Sequence, residues 1–163
     1  MILPLPEKFD ANEVFIIIST VLSLSLLFLI PRRLSVVTIH VIWTFNVFVA
    51  LLADITIGVK PNQFYFTIDH KTHELFDVIL HFITYPTLPY FVVNIYQRYK
   101  PKNIKLIFYL IFWAGAAIAL EWFSVKFHVF TYTGWKLSLS FMVYLVVFAA
   151  NIWLVNIVEK KHP

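Results

Sequence analysis

Five long apolar stretches dominate this chain and leave little of it outside them. They cover residues 14–30, 34–57, 75–96, 104–123 and 137–158. Each is close to the roughly 20 residues that an α-helix needs to cross a bilayer. Strands of a membrane barrel are shorter, about 10 residues, and alternate apolar with polar positions, which these stretches do not. The sequence therefore predicts an all-α integral membrane bundle of five transmembrane helices.

The composition agrees with this class of protein. Of the 163 residues, 60% are hydrophobic and 13% are charged, whereas about a quarter of a soluble domain is charged. The length predicts a single membrane domain over residues 1–163. With three glycines and no cysteine, the chain has no dinucleotide motif, disulfide framework or thiolate metal site. No cofactor is expected.

Lysine and arginine are distributed unevenly between the two sides of the predicted bundle. One side has eight of them, namely Arg32, Arg33, Arg98, Lys100, Lys102, Lys105, Lys160 and Lys161. The other side has five, namely Lys8, Lys60, Lys71, Lys126 and Lys136. Because basic residues are enriched in cytoplasmic loops, we expect the N-terminus outside and the C-terminus in the cytoplasm. The net charge of +4 then reflects topology and attraction to anionic lipid, without nucleic-acid binding.

The first apolar stretch is expected to remain in the protein. Acidic residues, Glu7, Asp10 and Glu13, precede it where a signal peptide would be basic, and the basic segment 31–33 follows it. The sequence shows no internal repeat, and five spans do not divide into matching halves. An inverted-repeat transporter is therefore not expected.

Four ionisable residues inside the spans are candidates for an outer-leaflet polar site, because a charge in hydrocarbon is costly. They are Asp54, Asp77, His81 and Glu121. At about 1.5 Å per residue they lie at one depth, roughly 3–10 Å below the outer surface. Ala114 and Ala117 share a helix face with Glu121, which lets another helix approach it. The competing interpretation is that acids this near the interface only form hydrogen bonds at helix ends.

The third span has a regular pattern of ionisable residues. His70, Glu74, Asp77 and His81 are spaced by 4, 3 and 4 residues and share one helix face. Asp77 and His81 have the spacing to coordinate a divalent metal or to form a carboxylate–imidazole proton relay. No HExxH motif accompanies them, so whether a metal binds stays open.

Two prolines interrupt the same span. Pro86 and Pro89 cannot donate backbone hydrogen bonds, so the carbonyls of Phe82 and Tyr85 lose their usual donors. We expect a helix kink at this place, which shapes packing or serves as a hinge.

The segment before the last span, Thr131–Lys136, is predicted to form a lid over the acidic residues. Tyr132 and Trp135 suit the membrane interface. Gly134 is expected to form a turn with a positive φ angle, returning both aromatic residues towards Glu121. An interfacial anchor without contact to the acids is the alternative.

Several other polar residues inside the spans are expected to form hydrogen bonds between helices. They are His40, Asn46, Asn94, Asn151 and Asn156. Their amides and imidazole need partners in hydrocarbon, and neighbouring helices are the nearest source.

From Asp77 onward the chain resembles an uncharacterised family of small multi-pass membrane proteins of spore-forming Gram-positive bacteria. The resemblance is carried by Asp77 opening a helix, by Tyr85-Pro86, by Glu121-Trp122 and by Tyr132, Gly134 and Trp135. It implies a bacterial plasma membrane protein and supplies no reaction. His81 is not part of the family pattern, so the resemblance favours Asp77 and Glu121.

Three classes of function follow, with a structural or accessory membrane protein first. The second is an outer-leaflet enzyme acting on a lipid or isoprenoid headgroup with Asp77 and Glu121 as acid and base. The third is a module that binds or transports a cation or protons. The lipid bilayer is the expected partner, together with another membrane protein or further copies of this chain.

Overall fold

The computed structural model describes residues 6, 8–61, 63–67 and 75–161. It has five helices long and apolar enough to cross a membrane. They are α1 (Ala11–Leu29), α2 (Val36–Gly58), α3 (Leu75–Tyr99), α4 (Ile104–Lys126) and α5 (Leu137–Lys161). The predicted all-α bundle of five apolar helices is thereby confirmed.

The first two helices begin at residues whose side chains accept backbone hydrogen bonds. Asp10 caps α1, and Glu13 accepts a hydrogen bond from the Asp10 N–H at 2.8 Å, which completes a capping box. The Ser35 hydroxyl oxygen accepts from the Thr38 N–H at 3.2 Å at the start of α2. Glu13 was expected to precede the first span, but it lies inside α1 and is only 1% exposed.

Helix α3 forms the centre of the bundle. In its most apolar stretch 56% of the residues are buried, against 17–22% in the other helices. Its residues Tyr90, Phe91 and Val93 pack with Ile42 of α2 and Ile152 of α5 in the main hydrophobic core. The other helices pack around α3 and expose their outer faces, as expected of helices that meet lipid.

The two prolines of α3 follow a π-helical turn, Leu80–Thr84, which joins the α-helical segments Leu75–Ile79 and Tyr85–Tyr99. The Tyr85 N–H donates to the Leu80 carbonyl across this wider turn. The Phe82 carbonyl, which was expected to lose its donor, accepts a hydrogen bond of 2.8 Å from Nε1–H of Trp43 in α2. A neighbouring helix thus satisfies the backbone group that Pro86 leaves free.

Two short strands pair across one end of the bundle. Strand β1 (Tyr65–Thr67) follows α2, and strand β2 (Phe130–Tyr132) follows α4. They are antiparallel, with Tyr65 opposite Tyr132. We call this sheet the cap, its end of the bundle the capped end, and the opposite end the basic end. These strands were not predicted from the sequence, because three-residue strands paired over a long separation have no local signature.

The two helical hairpins that follow α1 are built alike. Helices α2 and α4 each have 23 residues, and α3 and α5 each have 25. Each hairpin, α2–β1–α3 and α4–β2–α5, carries a three-residue strand in its connection. The two hairpins therefore have the same order of elements and run in the same direction along the chain.

Asparagine side chains join the helices away from the cap, as predicted. Asn46 of α2 and Asn151 of α5 form two reciprocal hydrogen bonds of 2.7 and 3.1 Å. Asn94 of α3 accepts from the Arg33 N–H at 2.8 Å and donates to the Pro31 carbonyl at 3.1 Å. This fully buried amide fixes the connection between α1 and α2.

The remaining two predictions of this kind differ in outcome. Asn156 of α5 donates to the hydroxyl of Tyr96 in α3 at 3.1 Å, so it does join two helices. His40 was expected to do the same, but its Nδ1 pairs with the Val36 carbonyl of its own helix at 2.8 Å. His40 is exposed on the outer face of α2, where no neighbouring helix competes with this local contact.

Candidate functional site

Polar side chains beneath the cap form two groups, one for each hairpin. The first half-site comprises Asp54, Tyr65 and His81. The second half-site comprises Glu121, Tyr132 and Ser140. In each, a carboxyl near the end of one helix accepts a hydrogen bond from the tyrosine that lies eleven residues further along the chain. A side chain from the next helix also contacts this carboxyl.

In the first half-site both carboxyl oxygens of Asp54 have a close partner, a hydroxyl on one and an imidazole in ion-pair contact with the other. The Tyr65 hydroxyl donates to Oδ1, and Nε2 of His81 lies 2.6 Å from Oδ2. Nδ1 of His81 lies 2.6 Å from the Asp77 carbonyl oxygen, which only accepts, so Nδ1 carries a proton. Nε2 therefore faces the carboxyl either as a second donor or as the acceptor of a proton held by Asp54. In both cases the Asp54–His81 pair holds one proton between its two side chains.

Both members of this pair lie in π-helical turns. Asp54 begins the turn Asp54–Gly58 at the end of α2, and His81 lies in the turn Leu80–Thr84 of α3. A π-helical turn re-aims side chains relative to a regular α-helix and occurs frequently at functional sites. The contact between Asp54 and His81 therefore depends on two π-helical turns, which the sequence pattern does not predict.

In the second half-site all hydrogen bonds reach one oxygen of Glu121. Oε1 accepts from the Tyr132 hydroxyl and from the Ser140 hydroxyl at 2.6 Å. Nε1–H of Trp135 donates to Ser140 at 2.7 Å and extends the chain of bonds. Oε2 is buried with no hydrogen-bond partner among the described residues, although the Tyr144 side chain stands next to this carboxyl.

Small residues bring α4 close to its neighbours below Glu121. Ala114, Ala117 and Glu121 are the buried residues of this helix, as their shared face predicted. Glu121 itself is 8% exposed. Gly115 lies on another face of this helix, which is open, with nothing within 4 Å of the position of a Cβ atom.

Tyrosine side chains connect the two half-sites. Burial first, and then the Asp54 carboxyl and Glu121, raise the pKa of Tyr65 well above its usual range. Burial and the Glu121 carboxyl raise the pKa of Tyr132 in the same way. Both hydroxyls therefore stay protonated and donate at neutral pH. The Tyr85 ring packs edge-on against the His81 ring of the first half-site, with 5.2 Å between the two centroids, and the Tyr144 side chain stands next to the Glu121 carboxyl of the second half-site.

The predicted lid residues lie at the second half-site, with one correction. Tyr132 and Trp135 both belong to the hydrogen-bond chain that ends on Glu121. Gly134 was expected to have a positive φ angle, but no described glycine has one. A Cβ atom at Gly134 would instead lie 3.0 Å from Cδ1 of Phe64. Glycine suits this position because the ring of Phe64, the residue before β1, packs close to it, and not because of its backbone conformation.

Sequence reasoning missed several residues at the capped end. Tyr65, Ser140 and Tyr144 were not singled out, and Glu13 was assigned to the segment before the first span. The equal spacing from Asp54 to Tyr65 and from Glu121 to Tyr132 is the signal that would have found Tyr65. The side chains of Ser140 and Tyr144 carry no comparable signal, since such residues are common in membrane helices.

The metal alternative for Asp77 and His81 gains no support. Within the described residues, no group of three His, Cys, Asp or Glu side chains is placed to hold a metal ion. Asp77 is 5% exposed, and its backbone carbonyl contacts Nδ1 of His81 at 2.6 Å. His70 and Glu74, which completed the predicted helix face, lie outside the described residues, as does His73.

The two half-sites differ in what they can do chemically. The first holds a proton within a closed Asp–His–Tyr group, and the second leaves one buried carboxyl oxygen available. The chain matches no known protein family, no curated protein and no solved structure. Any function therefore has to be argued from this geometry.

Proposed function

We propose that this chain is a small multi-pass protein of a bacterial plasma membrane with a structural or accessory role. The observation that supports this role is the bonding of the two acidic residues. Asp54 joins α2 to β1 and α3, and Glu121 joins α4 to β2 and α5. A carboxyl bonded by two other elements fastens them together, and this is what a stable membrane scaffold requires.

The proposed orientation places the cap outside the cell. Its support is the charge distribution, since all eight lysines and arginines assigned to the cytoplasmic side are exposed and basic loops remain in the cytoplasm. The resemblance to membrane proteins of spore-forming Gram-positive bacteria agrees with a bacterial plasma membrane. An alkaline phosphatase fusion after Thr131 should be active and one after Lys102 inactive. The opposite result would invert the proposed topology.

An enzyme acting on a lipid or isoprenoid headgroup is the weaker alternative. Its proposed acid and base, Asp77 and Glu121, are 5% and 8% exposed. A headgroup would have to displace the cap to reach them, whereas a catalytic group must come within hydrogen-bonding distance of its substrate. The geometry therefore favours the accessory role.

Native mass spectrometry after gentle extraction into lipid nanodiscs tests the accessory role. We expect a membrane protein bound in a fixed ratio, or a defined homo-oligomer. Ser25→Ala, a substitution at an exposed residue, is the control. It should leave the set of bound proteins unchanged, because the Ser25 hydroxyl donates to the Val21 carbonyl of its own helix. A strictly monomeric protein with no bound protein partner would contradict the proposed role.

A further inference from the structure

Comparison of the two half-sites exposes a difference in how their carboxyls are bonded. Asp54 has a partner on each oxygen, the Tyr65 hydroxyl and the His81 imidazole. Glu121 receives both of its hydrogen bonds on Oε1, and Oε2 has no partner among the described residues. The two hairpins are built alike, but within the described residues the second half-site has no counterpart of the His81 imidazole.

The described side chains around Glu121 place no imidazole or cation against Oε2. Helix α5 contributes Ser140, which already bonds to Oε1, and Tyr144, which is neutral. Lys126 lies one turn beyond Glu121 on α4, but its ammonium group sits over the Trp122 ring at 5.5 Å from the centroid. Glu121 is only 8% exposed. A buried carboxylate oxygen without a donor or a cation is costly.

We propose that a small monovalent cation of the size of Na⁺ binds to Oε2 of Glu121, with the Tyr144 hydroxyl as a second oxygen ligand. Carboxylate and hydroxyl oxygens suit hard cations. The Tyr85 hydroxyl is also buried without a hydrogen-bond partner in the described part of the chain.

The charge of the second half-site agrees with a single positive charge at this place. Glu121 is its carboxyl, and the Tyr132 and Ser140 hydroxyls that donate to Oε1 are neutral. A monovalent ion offsets this one negative charge in a low-dielectric setting, where such charge is unfavourable. A divalent ion would require more acidic ligands than this half-site brings together.

Thermal unfolding of the full chain in nanodiscs tests the site. The protein is held in N-methyl-D-glucamine chloride, and NaCl replaces this salt at constant ionic strength. Because a ligand that binds only the folded state stabilises it, the midpoint temperature should rise with the logarithm of the Na⁺ concentration. The large organic cation does not fit a buried oxygen and should have no such effect.

Two variants separate binding from simple stabilisation. Glu121→Gln retains a carbonyl oxygen for Tyr132 and Ser140 but removes the charge, so the Na⁺-dependent shift should disappear. Asp54→Asn is the matched control, since both oxygens of Asp54 are already bonded within the protein. This control should unfold at a lower temperature yet keep the Na⁺-dependent shift. If Glu121→Gln does not fold, Tyr144→Phe should require a several-fold higher Na⁺ concentration for the same shift.

Three results would overturn the proposal. The first is a wild-type midpoint that does not respond to Na⁺. The second is a Na⁺-dependent shift of the midpoint that persists in Glu121→Gln, or that Tyr144→Phe shows at the same Na⁺ concentrations as the wild type. The third is stabilisation by acid alone that Glu121→Gln abolishes, which would make the ligand a proton. None of them bears on the accessory role, which depends on bound protein and not on Na⁺.

Discussion

The two ends of the bundle bury polar side chains of different chemistry. At the capped end these are carboxyls, an imidazole and tyrosine hydroxyls, centred on Asp54 and Glu121. Towards the basic end they are asparagine amides, of which Asn94 binds the connection between α1 and α2. Asn46 and Asn151 form a reciprocal pair between these regions.

This difference has a physical reason. An amide has both donors and acceptors and no charge, so two amides satisfy each other anywhere in a membrane. An ionised carboxyl only accepts, and each one needs donors from other elements. The capped end obtains them from the strands, from His81 and from Ser140. We therefore expect the capped end to respond to pH and to the loss of single donors, and the Asn94 contact at the basic end to respond only to the loss of its amide.

The largest effect is expected from breaking the Asp54–His81 pair. His81→Leu removes the partner of Asp54 Oδ2 and should lower the free energy of unfolding by about 3 kcal/mol, because an unpaired buried charge remains. Denaturant unfolding in mixed micelles measures this loss. The double variant Asp54→Asn with His81→Leu should recover part of it, and strict additivity of the two changes would show that the pair is not coupled.

A smaller loss is expected at the basic end. Asn94→Ala leaves the Arg33 N–H and the Pro31 carbonyl without their partner and should cost about 2 kcal/mol. The loss should be the same at pH 5 and pH 8, because no group in this contact titrates there. Asn156→Ala is the control, since Asn156 is exposed and bonds only to Tyr96. A pH-dependent loss in Asn94→Ala would break the contrast between the two ends.

Tyrosine hydroxyls of the cap should make the capped end sensitive to alkali. Tyr65→Phe removes the donor to Asp54 and should cost about 1.5 kcal/mol at neutral pH. Burial and the neighbouring Asp54 raise the pKa of Tyr65 in the folded protein. The folded state therefore retains a proton that the unfolded state loses near pH 10, and stability should fall as the pH rises above about 10.

Unfolding titrations between pH 8 and pH 11 measure this slope. Tyr65→Phe should show a weaker decline than the wild type, and the double variant with Tyr132→Phe a weaker one still, because the pKa of Tyr132 is also raised. Equal slopes in all three proteins would show that the cap does not stay closed over these hydroxyls.

The smallest effect is expected between the two ends. The hydrogen bonds between Asn46 and Asn151 should contribute a coupling energy of about 0.6 kcal/mol, the average for such bonds in membrane bundles. A double-mutant cycle with Asn46→Leu and Asn151→Leu measures it. A coupling energy above that of the Asp54–His81 pair would reverse the order proposed for the two regions.

The sequence predicted the features that neighbouring residues determine, and it missed those that depend on residues far apart in the chain. Local hydropathy placed the five helices and put Asp54, Asp77, His81 and Glu121 near the ends of these helices, because both follow from residues adjacent in the chain. Pro86 and Pro89 likewise marked the backbone groups that need another donor. The reason for Gly134 was missed, because its neighbour Phe64 comes from a distant segment.

The sequence by itself determined an apolar, five-helix chain with acids near one end of its spans. Only the tertiary structure decided that Tyr65 pairs with Tyr132, that Asp54 meets His81, and that the hairpins share one design. Hydropathy acts on each residue separately, so it can be read along the chain. Hydrogen bonds between elements act only when folding has brought their donors and acceptors together, and two π-helical turns and a two-stranded sheet set that geometry here.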